Sequence, residues 1–522
     1  MSSENSSPPP AAQHGSYRSG FAFGILSFMA MAAFGVVSTI VTARIYGVRI
    51  IGQFALVSAP VGALWVLSTA KEQAALIKEI TGLPPRHPRV TQLFAAVFTF
   101  STGLTVTMSA LAAFGVWLVF RGPLHVRDLV TPTFVSLAGY AIVTNTAWNF
   151  DAIFSAFVAG RQLFWVRLHE TLSFLAIAIA IGLGWHSVWG LVIATIGGSL
   201  TALVHRLVIV RSFVRPRLTF REYRVGLESL PGLLRFGLKI TPGSIAQGVS
   251  GQAGVWAIRA VGGSVALVGA YSRAQTIPER LQQVNLRIVE VLYPTLVGRR
   301  SKGDHEGFDR ALTDTIRYAL FGLLLIAAVF GGTAHEILDV FGPGFNRATH
   351  VLMLLIVYPA LNSITIAQSQ ALLAVDRPGL TSIVSLARMT LTIIATVLLT
   401  PAIGIMGPAI ALVGGLVFDV IWKTLVLHPY LSQPLRVIWP RRQRFALVGG
   451  YAGGFAAAYA VAAALPSLAG LLAGLVVGTL AYLAALFVCG GINHRDRARL
   501  TELRDTIRAR RAARRASPEP IG

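Results

Sequence analysis

The sequence has little cysteine and little charge, and each shortage excludes a class of protein. Cys489 is the single cysteine among 522 residues, so one chain cannot form a disulfide framework, a cysteine-based zinc site or a thiol pair. Charged residues make up 13% of the chain, against about 25% in soluble domains. With 54% hydrophobic residues and a mean hydropathy of +0.65, the chain is predicted to be an all-α, polytopic membrane protein.

Acidic residues are also scarce: 22 Asp and Glu stand against 45 Lys and Arg, a formal net charge of +23. On a soluble chain this excess would indicate a nucleic-acid partner. On a membrane chain it is first expected in cytoplasmic loops, where Lys and Arg set the orientation. The positions of the basic residues therefore decide between the two interpretations.

Signatures of catalysis are missing as well. The eleven histidines form no H-E-x-x-H motif, and no glycine-rich segment ends in the Lys-Ser/Thr of a P-loop. The one sizeable outer loop, near 331–350, offers Glu336 and Asp339 without a partnering group. A membrane-embedded glycosyltransferase or polymerase, the alternative from another class, should carry acid or base groups on a larger outer loop. Transport is favoured over catalysis, and no cofactor or metal is predicted.

Long apolar runs dominate the chain. A helix needs about 20 mostly apolar residues to cross the hydrocarbon core, and the first such run, near Phe21, lacks a signal-peptide cleavage site. The template predicts fourteen transmembrane helices, at 20–43, 51–70, 92–119, 130–157, 168–185, 189–210, 237–258, 265–292, 315–334, 349–373, 379–400, 404–427, 445–464 and 467–490.

Successive connections between spans must alternate between the inner and the outer side of the membrane, and the basic residues follow this alternation. With both termini inside, 35 Lys and Arg residues fall in or beside inner segments, Arg206 and Lys423 among them, and six fall outside. This is the positive-inside pattern, which predicts a multi-pass membrane protein with both termini cytoplasmic. Four arginines remain within the spans: Arg273, Arg280, Arg287 and Arg388.

An internal repeat organises the spans. Gly52-Gln53-Phe54 matches Gly269-Ala270-Tyr271. We define the repeat offset as the separation in sequence between positions 52 and 269. Gly190, Ala194 and Gly197-Gly198 match Gly407, Ala411 and Gly414-Gly415 at the same offset. A duplicated six-helix unit, related by an axis along the membrane normal, is expected. The predicted organisation is a disordered cytoplasmic N-terminus (1–19), a first lobe (20–210), a basic linker (211–236), a second lobe (237–427), two additional helices (428–490) and an Arg-rich cytoplasmic tail (491–522).

Three of the intramembrane arginines lie seven residues apart on span 8: Arg273, Arg280 and Arg287. At 100° per residue they fall within about 40° of one another and form one basic stripe. Charges at membrane depth are costly unless they face a partner or a polar cavity. Either Glu279 and Glu290 neutralise the stripe as a packing network, or the stripe lines a cavity for an anionic solute; the second is favoured because three arginines outnumber two glutamates.

Further polar residues lie at membrane depth on other spans. Each one alone is more readily explained by hydrogen bonding between helices than by ligand contact, but together they indicate a wet interior. The candidate cavity residues are Arg273, Arg280, Arg287, Glu279, Gln283, Lys71, Asn145 and Asp151.

The C-terminal segment 495–515 carries nine arginines. It is either a clamp for anionic membrane lipids, worth up to about 1 kcal/mol per basic residue near the surface, or a solvated topology signal. Nucleic acid is not a predicted partner, because no aromatic residues are interleaved.

Five short motifs occur in order along the chain. Residues 43–54 resemble an A-R-x-L-G-x-x-x-F-G-x-Y loop after the first span, and residues 233–240 read LLRFGLKI at the start of span 7. Residues 268–271 resemble V-G-x-Y, residues 293–294 an x-P after span 8, and residues 341–345 an F-G-x-x-F/Y segment. The series resembles that of the Wzx-type polysaccharide flippases of the multidrug/oligosaccharidyl-lipid/polysaccharide (MOP) exporter superfamily, which implies a location in the bacterial plasma (inner) membrane.

The resemblance implies two six-helix lobes around a central cavity and the movement of a polyprenyl pyrophosphate-linked oligosaccharide from the cytoplasmic to the outer leaflet by alternating access. Related lipid II flippases place a span 8 arginine in the cavity, which matches Arg273 or Arg280 here. Expected partners are the lipid-linked saccharide and the polysaccharide polymerase and glycosyltransferases of the pathway. Many family members have an acidic residue in span 7, where this chain has Gln247 and Gln252. Lipid II-type or multidrug export, and a non-transporting scaffold, are the alternatives.

Overall fold

The computed structural model describes residues 17–68, 72–157, 160–214, 219–238, 241–432, 441–465 and 467–491. Within these ranges the chain is helical with short connections and has no β-strand, as expected where backbone polar groups must be satisfied inside lipid. The helices are α1 (Tyr17–Leu67), α2 (Glu72–Ile80), α3 (Pro88–Arg121), α4 (Val130–Gly139), α5 (Asn145–Ala156), α6 (Gly160–Gly182), α7 (Val188–Val210), α8 (Phe220–Leu238), α9 (Thr241–Ala260), α10 (Val265–Leu281), α11 (Gln283–Ser301), α12 (His305–Gly332), α13 (Ala334–Phe341), α14 (Thr349–Leu355), α15 (Tyr358–Ala374), α16 (Pro378–Ile403), α17 (Met406–Leu427), α18 (Arg441–Ala464) and α19 (Ser467–Val488).

Ten helices in the described ranges are long and apolar enough to cross a membrane, so the chain is a multi-pass membrane protein. They lie on eleven of the fourteen predicted spans, because Phe34–Trp65 covers the first two. The other three predictions, at 130–157, 237–258 and 265–292, fall on helices that are shorter, more polar or interrupted. The all-helical class is confirmed, and the count of fourteen spans stays a prediction.

The junction between the first two predicted spans is a kink inside α1 at Gly47. Gly47 has φ +73°, a left-handed conformation that favours glycine, and helical residues continue on both sides. Tyr46, beside the kink, is buried and its hydroxyl donates to the Ala178 carbonyl of α6 at 2.8 Å. This hydrogen bond holds the kink against α6. The loop expected between the predicted spans 20–43 and 51–70 is reduced to one non-helical residue, Gly47.

The contacts divide the chain into two compact units. Unit 1 comprises Met1–Ser272, Phe341–Phe345 and Thr396–Pro408, and unit 2 comprises Arg273–Val340, Asn346–Ala395 and Ala409–Gly522. A packed apolar core lies within each unit, centred on the α2, α3 and α5 helices in unit 1 and on α11, α12 and α15 in unit 2. The lobe boundaries drawn from the sequence stay predictions.

The last two helices pack closely through small residues in unit 2. A Cβ at Gly454 would lie 2.9 Å from the Tyr482 Cβ, and one at Gly478 would lie 3.0 Å from the Gly454 carbonyl oxygen. Such small residues let α18 and α19 approach, as in membrane helix pairs generally. The Tyr482 hydroxyl donates to the Phe321 carbonyl at 2.9 Å and joins α19 to α12.

An acid-sensitive cap begins α12. Asp304 accepts a hydrogen bond from Arg299 Nη1 at 2.6 Å and one from the Gly307 N–H at 2.8 Å. The Arg299 guanidinium, followed by the Gly307 amide, holds the pKa of the Asp304 carboxyl below its ordinary value. A depressed folded-state pKa contributes stability above the unfolded-state value, about 3.9, which is lost as the pH falls through the folded-state pKa.

We therefore expect acidification to open this cap. After correction for the intrinsic rate, hydrogen–deuterium exchange at the Gly307 amide should accelerate as the pH is lowered from 5 towards about 3. Asp304→Asn, which cannot titrate, should abolish this pH dependence. A pH-independent Gly307 amide in the unmodified protein would contradict the prediction.

Candidate functional site

The basic stripe predicted for span 8 begins on the part of α10 that belongs to unit 2, which starts at Arg273. Arg273 and Arg280 both lie on this helix, and Pro278 lies between them. The helix ends at Leu281, Gln282 forms a turn, and α11 starts at Gln283. Proline removes a backbone donor and crowds the turn that precedes it, whereas this interruption follows Pro278, and the Gln282 N–H still donates to the Pro278 carbonyl at 3.1 Å. Pro278 therefore does not explain the interruption. The seven-residue spacing thus runs across two helices, not one.

Arg273 and Arg280 differ in exposure. Arg273 is partly buried, and its Nε atom is buried without a hydrogen-bond partner among the described residues. Arg280 is exposed, and its positive charge interacts with that of Arg273. Neither arginine forms an ion pair with a carboxylate within the described part of the chain. Two neighbouring cations, one with an unsatisfied buried donor, form a candidate anion-binding site.

Glu279 does not form a close ion pair with either arginine. Its Oε1 accepts a hydrogen bond from Gln275 Nε2 one turn earlier, at 2.8 Å, and its charge interacts with that of the adjacent Arg280 at longer range. The neutralised network, which the sequence left open as an alternative, is therefore incomplete on α10. The side chains of Gln283, Arg287 and Glu290 lie outside the described residues, as does Lys71.

Amide side chains surround the turn between α10 and α11. Asn362 Nδ2 of α15 donates to Gln282 Oε1 at 3.4 Å. Asn285 Nδ2 donates to the Pro359 carbonyl at 3.2 Å, and both asparagines are almost fully buried. The turn is thus fastened to α15 by polar contacts at the C-terminal end of the candidate site.

The unit 1 candidates Asn145 and Asp151 have different surroundings on α5. Asn145 is buried, and its Nδ2 atom has no hydrogen-bond partner among the described residues. Asp151 accepts a hydrogen bond from Arg206 Nε at 2.8 Å and lies 3.4 Å from Arg167 Nη2. Its carboxylate is therefore engaged by two arginines of unit 1.

Arg206 is the centre of a buried ion network in unit 1. Its side chain has 0% exposure on α7, and besides Asp151 it contacts Glu170 of α6 through Nη1 at 3.3 Å. Ser199 Oγ donates to the other Glu170 oxygen at 3.3 Å. Each carboxylate therefore has two polar contacts.

Unit 2 buries a second network. Asp419 of α17 lies 3.3 Å from Arg388 Nη1 of α16 and 3.0 Å from Lys423 Nζ, one turn along its own helix. All three residues are buried.

Counting basic residues by segment missed these two networks. That count placed Arg206 and Lys423 with the orienting charges of the inner surface, and it gave no indication that both side chains are buried in ion pairs. A signal was available, since the two positions are separated by the repeat offset. The sequence predicts that Arg388 lies within a span, but it does not indicate the partner Asp419.

The repeat is visible in backbone contacts within unit 1. A Cβ at Gly52 would overlap the Val265 carbonyl oxygen, and a Cβ at Gly269 would overlap the Val48 carbonyl oxygen. Val48 and Val265, like the two glycines, are separated by the repeat offset. The contact is therefore reciprocal, as between two copies of one motif.

Ten described helices that are long and apolar enough to cross a membrane, together with the repeat-related contact, define a multi-pass membrane protein with an internal repeat. The model of the family described as polysaccharide biosynthesis protein matches residues 18–298. The chain belongs to this family, and the resemblance found in its motifs is confirmed at that level.

Relatives agree with this placement. A probable low-salt glycan biosynthesis flippase of Haloferax volcanii is 28% identical over 147 residues, which cover 28% of this chain and 31% of that protein. The matched segment thus spans less than a third of the curated relative's length.

Solved structures show the fold. The lipid II flippase MurJ, in an inward closed conformation, superimposes with a TM-score of 0.67 at 11% identity, covering 89% of this chain and 98% of that one. A MOP superfamily transporter from Pyrococcus furiosus gives a TM-score of 0.57 at 14% identity, covering 79% and 95%. The chain therefore has the same fold as these two transporters.

Proposed function

We propose that the protein is a flippase that moves a polyprenyl pyrophosphate-linked oligosaccharide from the cytoplasmic to the outer leaflet of the bacterial plasma membrane. The family described for residues 18–298 acts in polysaccharide biosynthesis, and the matched relative of Haloferax volcanii bears the name of a glycan flippase. A saccharide and a pyrophosphate cannot enter hydrocarbon unaided, because burying unpaired charge is very costly. Such a substrate needs a polar path through the membrane.

The observation that carries the proposal is the pair of cations on α10. Arg273 has an unsatisfied buried Nε, and neither it nor Arg280 is ion-paired within the described residues. Arginine presents a planar fork of donors that suits phosphate oxygens. In this proposal the two guanidinium groups hold the pyrophosphate while the polyprenyl chain stays in lipid.

Transport would proceed by alternating access, as in parallel-repeat transporters. An interior-negative potential favours outward movement of an anion by about 2.3 kcal/mol per charge per 100 mV. The potential could therefore give the step its direction.

The test is leaflet accessibility of a fluorescent polyprenyl pyrophosphate-linked saccharide in proteoliposomes. Arg273→Gln with Arg280→Gln should lower the initial translocation rate at least tenfold, because two charge-assisted contacts are each worth about 1.5–3 kcal/mol. Arg224→Gln is the matched control, since Arg224 is an exposed arginine of α8 paired with Glu228. Full translocation by the double variant, inserted in correct orientation, would refute pyrophosphate binding at these arginines.

The competing functions predict different substrates. A multidrug exporter for organic cations needs available carboxylates, whereas Asp419, the buried acid of α17, is already held by Arg388 and Lys423. A lipid II-type exporter shares the pyrophosphate chemistry and differs in the sugar. Competition between lipid-linked saccharides and an organic cation in the same proteoliposomes distinguishes these alternatives, and new glycosidic product would instead identify a glycosyltransferase.

The surface partners stay predictions. The proposed clamp for anionic lipids is the Arg-rich tail at 491–522, which lies outside the described residues except for Gly491. The association with polysaccharide polymerase and glycosyltransferases follows from the proposed pathway, since these enzymes would consume and supply the lipid-linked saccharide.

A further inference from the structure

The two buried ion networks occupy corresponding places in the repeat. Arg206 on α7 and Lys423 on α17 are separated by the repeat offset. Gly198 and Gly415, at the same offset, pack tightly in their own helix pairs: a Cβ at Gly198 would meet the Glu170 carbonyl of α6, and one at Gly415 would overlap Thr392 Oγ1 of α16. In each half of the repeat, the cation of the network therefore comes shortly after a glycine in the sequence, and this glycine lies where two helices are in close contact.

The third helix of each network also corresponds. Asp151 of α5 and Gln368 of α15 are again separated by the repeat offset. Asp151 binds Arg206, whereas Gln368 Nε2 donates to Thr424 Oγ1 at 2.7 Å, beside Lys423. In unit 2 an amide stands at the position of one carboxylate, and the acid Asp419 comes from α17 itself.

The cations are close enough to neutralise the buried acids. Arg206 contacts both Asp151 and Glu170, and Arg167 lies beside Asp151. Lys423 Nζ lies 3.0 and 3.1 Å from the two Asp419 oxygens, and Arg388 lies beside one of them. Removing the partner of a buried charge is strongly destabilising, because the charge is left uncompensated. These acids are therefore stabilised by side chains of the protein.

We propose that Arg206 and Lys423 are tethered cations, which occupy the space around the carboxylates of Asp151, Glu170 and Asp419 so that these acids bind no Na⁺ from solution. A Na⁺ ion at Asp419 would need the oxygens that Lys423 already contacts, and it would add positive charge beside Arg388. The binding part of the proposal is independent of the substrate. Its consequence, transport without Na⁺ coupling at these acids, rests on the proposed function.

The experiment compares thermal unfolding of detergent-purified full-length protein in NaCl and in choline chloride at equal ionic strength. The unmodified protein should have the same Tm in both salts. Arg206→Gln and Lys423→Gln vacate carboxylate oxygens, so each variant should gain a saturable Na⁺-dependent rise in Tm of about 2–4 °C. Arg206→Lys keeps a cation in place and should show no such rise.

Several outcomes decide the proposal. A saturable Na⁺-dependent rise in the Tm of the unmodified protein that Asp151→Asn or Asp419→Asn abolishes would overturn it, and this measurement needs no charge-removing variant to fold. Lack of a Na⁺ response in both glutamine variants, when folded, would also overturn it. Because no substrate is present, these results are separate from the translocation test of Arg273 and Arg280.

Discussion

Replacement of Arg206 by methionine is expected to destabilise the folded protein by about 3–5 kcal/mol, because it leaves two partly buried acids, with side chains 13% and 24% exposed, without the fully buried cation that they share. Methionine fills similar space, so the effect comes mainly from lost charge and hydrogen bonds. Asp151 and Glu170 lose contacts at 2.8 and 3.3 Å, and Arg167, whose side chain is 54% exposed, compensates little at 3.4 Å from Asp151.

The measurement is the thermal midpoint of the purified protein, followed by loss of the monodisperse peak in size-exclusion chromatography. Arg224→Met is the matched control. Arg224 pairs with Glu228 on α8, but both side chains are highly exposed, and such surface pairs contribute about 0–1 kcal/mol. The same chemical change should thus have a small effect at Arg224 and a large one at Arg206.

A rescue variant separates charge from packing. Replacing buried ion pairs by apolar side chains of similar volume is often neutral, so Asp151→Leu and Glu170→Met should restore much of the stability lost in Arg206→Met. If Arg206→Met is as stable as Arg224→Met, or if the triple variant is no more stable than the single one, the charges of the network do not stabilise unit 1.

The general architecture could be predicted from the sequence because it depends on properties that hydropathy records directly. Apolar runs about 20 residues long mark membrane helices, and ten such helices are present in the described ranges. The repeat could also be found, because Gly52 and Gly269 sit where two backbones touch and no larger residue fits. Small residues at such contacts leave a trace in the sequence.

The pairing of charged side chains, in contrast, cannot be recognised from the sequence pattern. A basic residue near the end of an apolar run has the same effect on hydropathy whether it faces the cytoplasm or an acid on another helix. Arg206 lies 55 residues from Asp151 and 36 from Glu170, and Arg388 lies 31 residues from Asp419. Only the fold brings these groups together, so the count of orienting charges included two that are buried.

The candidate site was predictable in part. The sequence indicated that Arg273 and Arg280 share a helix, and the structure places both on α10. It did not indicate the turn at Gln282, because residues 279–290 contain no glycine or proline that would mark a turn. The amide contacts of Gln282 and Asn285 depend on α15, which is distant along the chain.

The reciprocal glycine contact gives the second large expected effect. Gly52→Ala and Gly269→Ala should each lower stability by about 1–3 kcal/mol, the usual cost of overpacking a tight contact. The Cβ would meet backbone atoms, the Val265 carbonyl for one variant and the Val48 carbonyl for the other, so no side chain can rotate away. The α1 and α10 helices must separate instead. Gly103→Ala on α3 is the control, since no atom lies within 4 Å of its Cβ among the described residues.

The two alanines should not be additive. A Cβ at Gly269 would also lie 2.9 Å from the Gly52 backbone nitrogen, so both substitutions strain the same contact. Once one alanine has separated the helices, the second costs less, and a double-mutant cycle on thermal midpoints should give a coupling energy of about 0.5–3 kcal/mol. Gly103→Ala should instead combine additively with either. Additive effects of Gly52→Ala and Gly269→Ala would mean that the two halves of the repeat do not meet at this contact, because independent sites give no coupling.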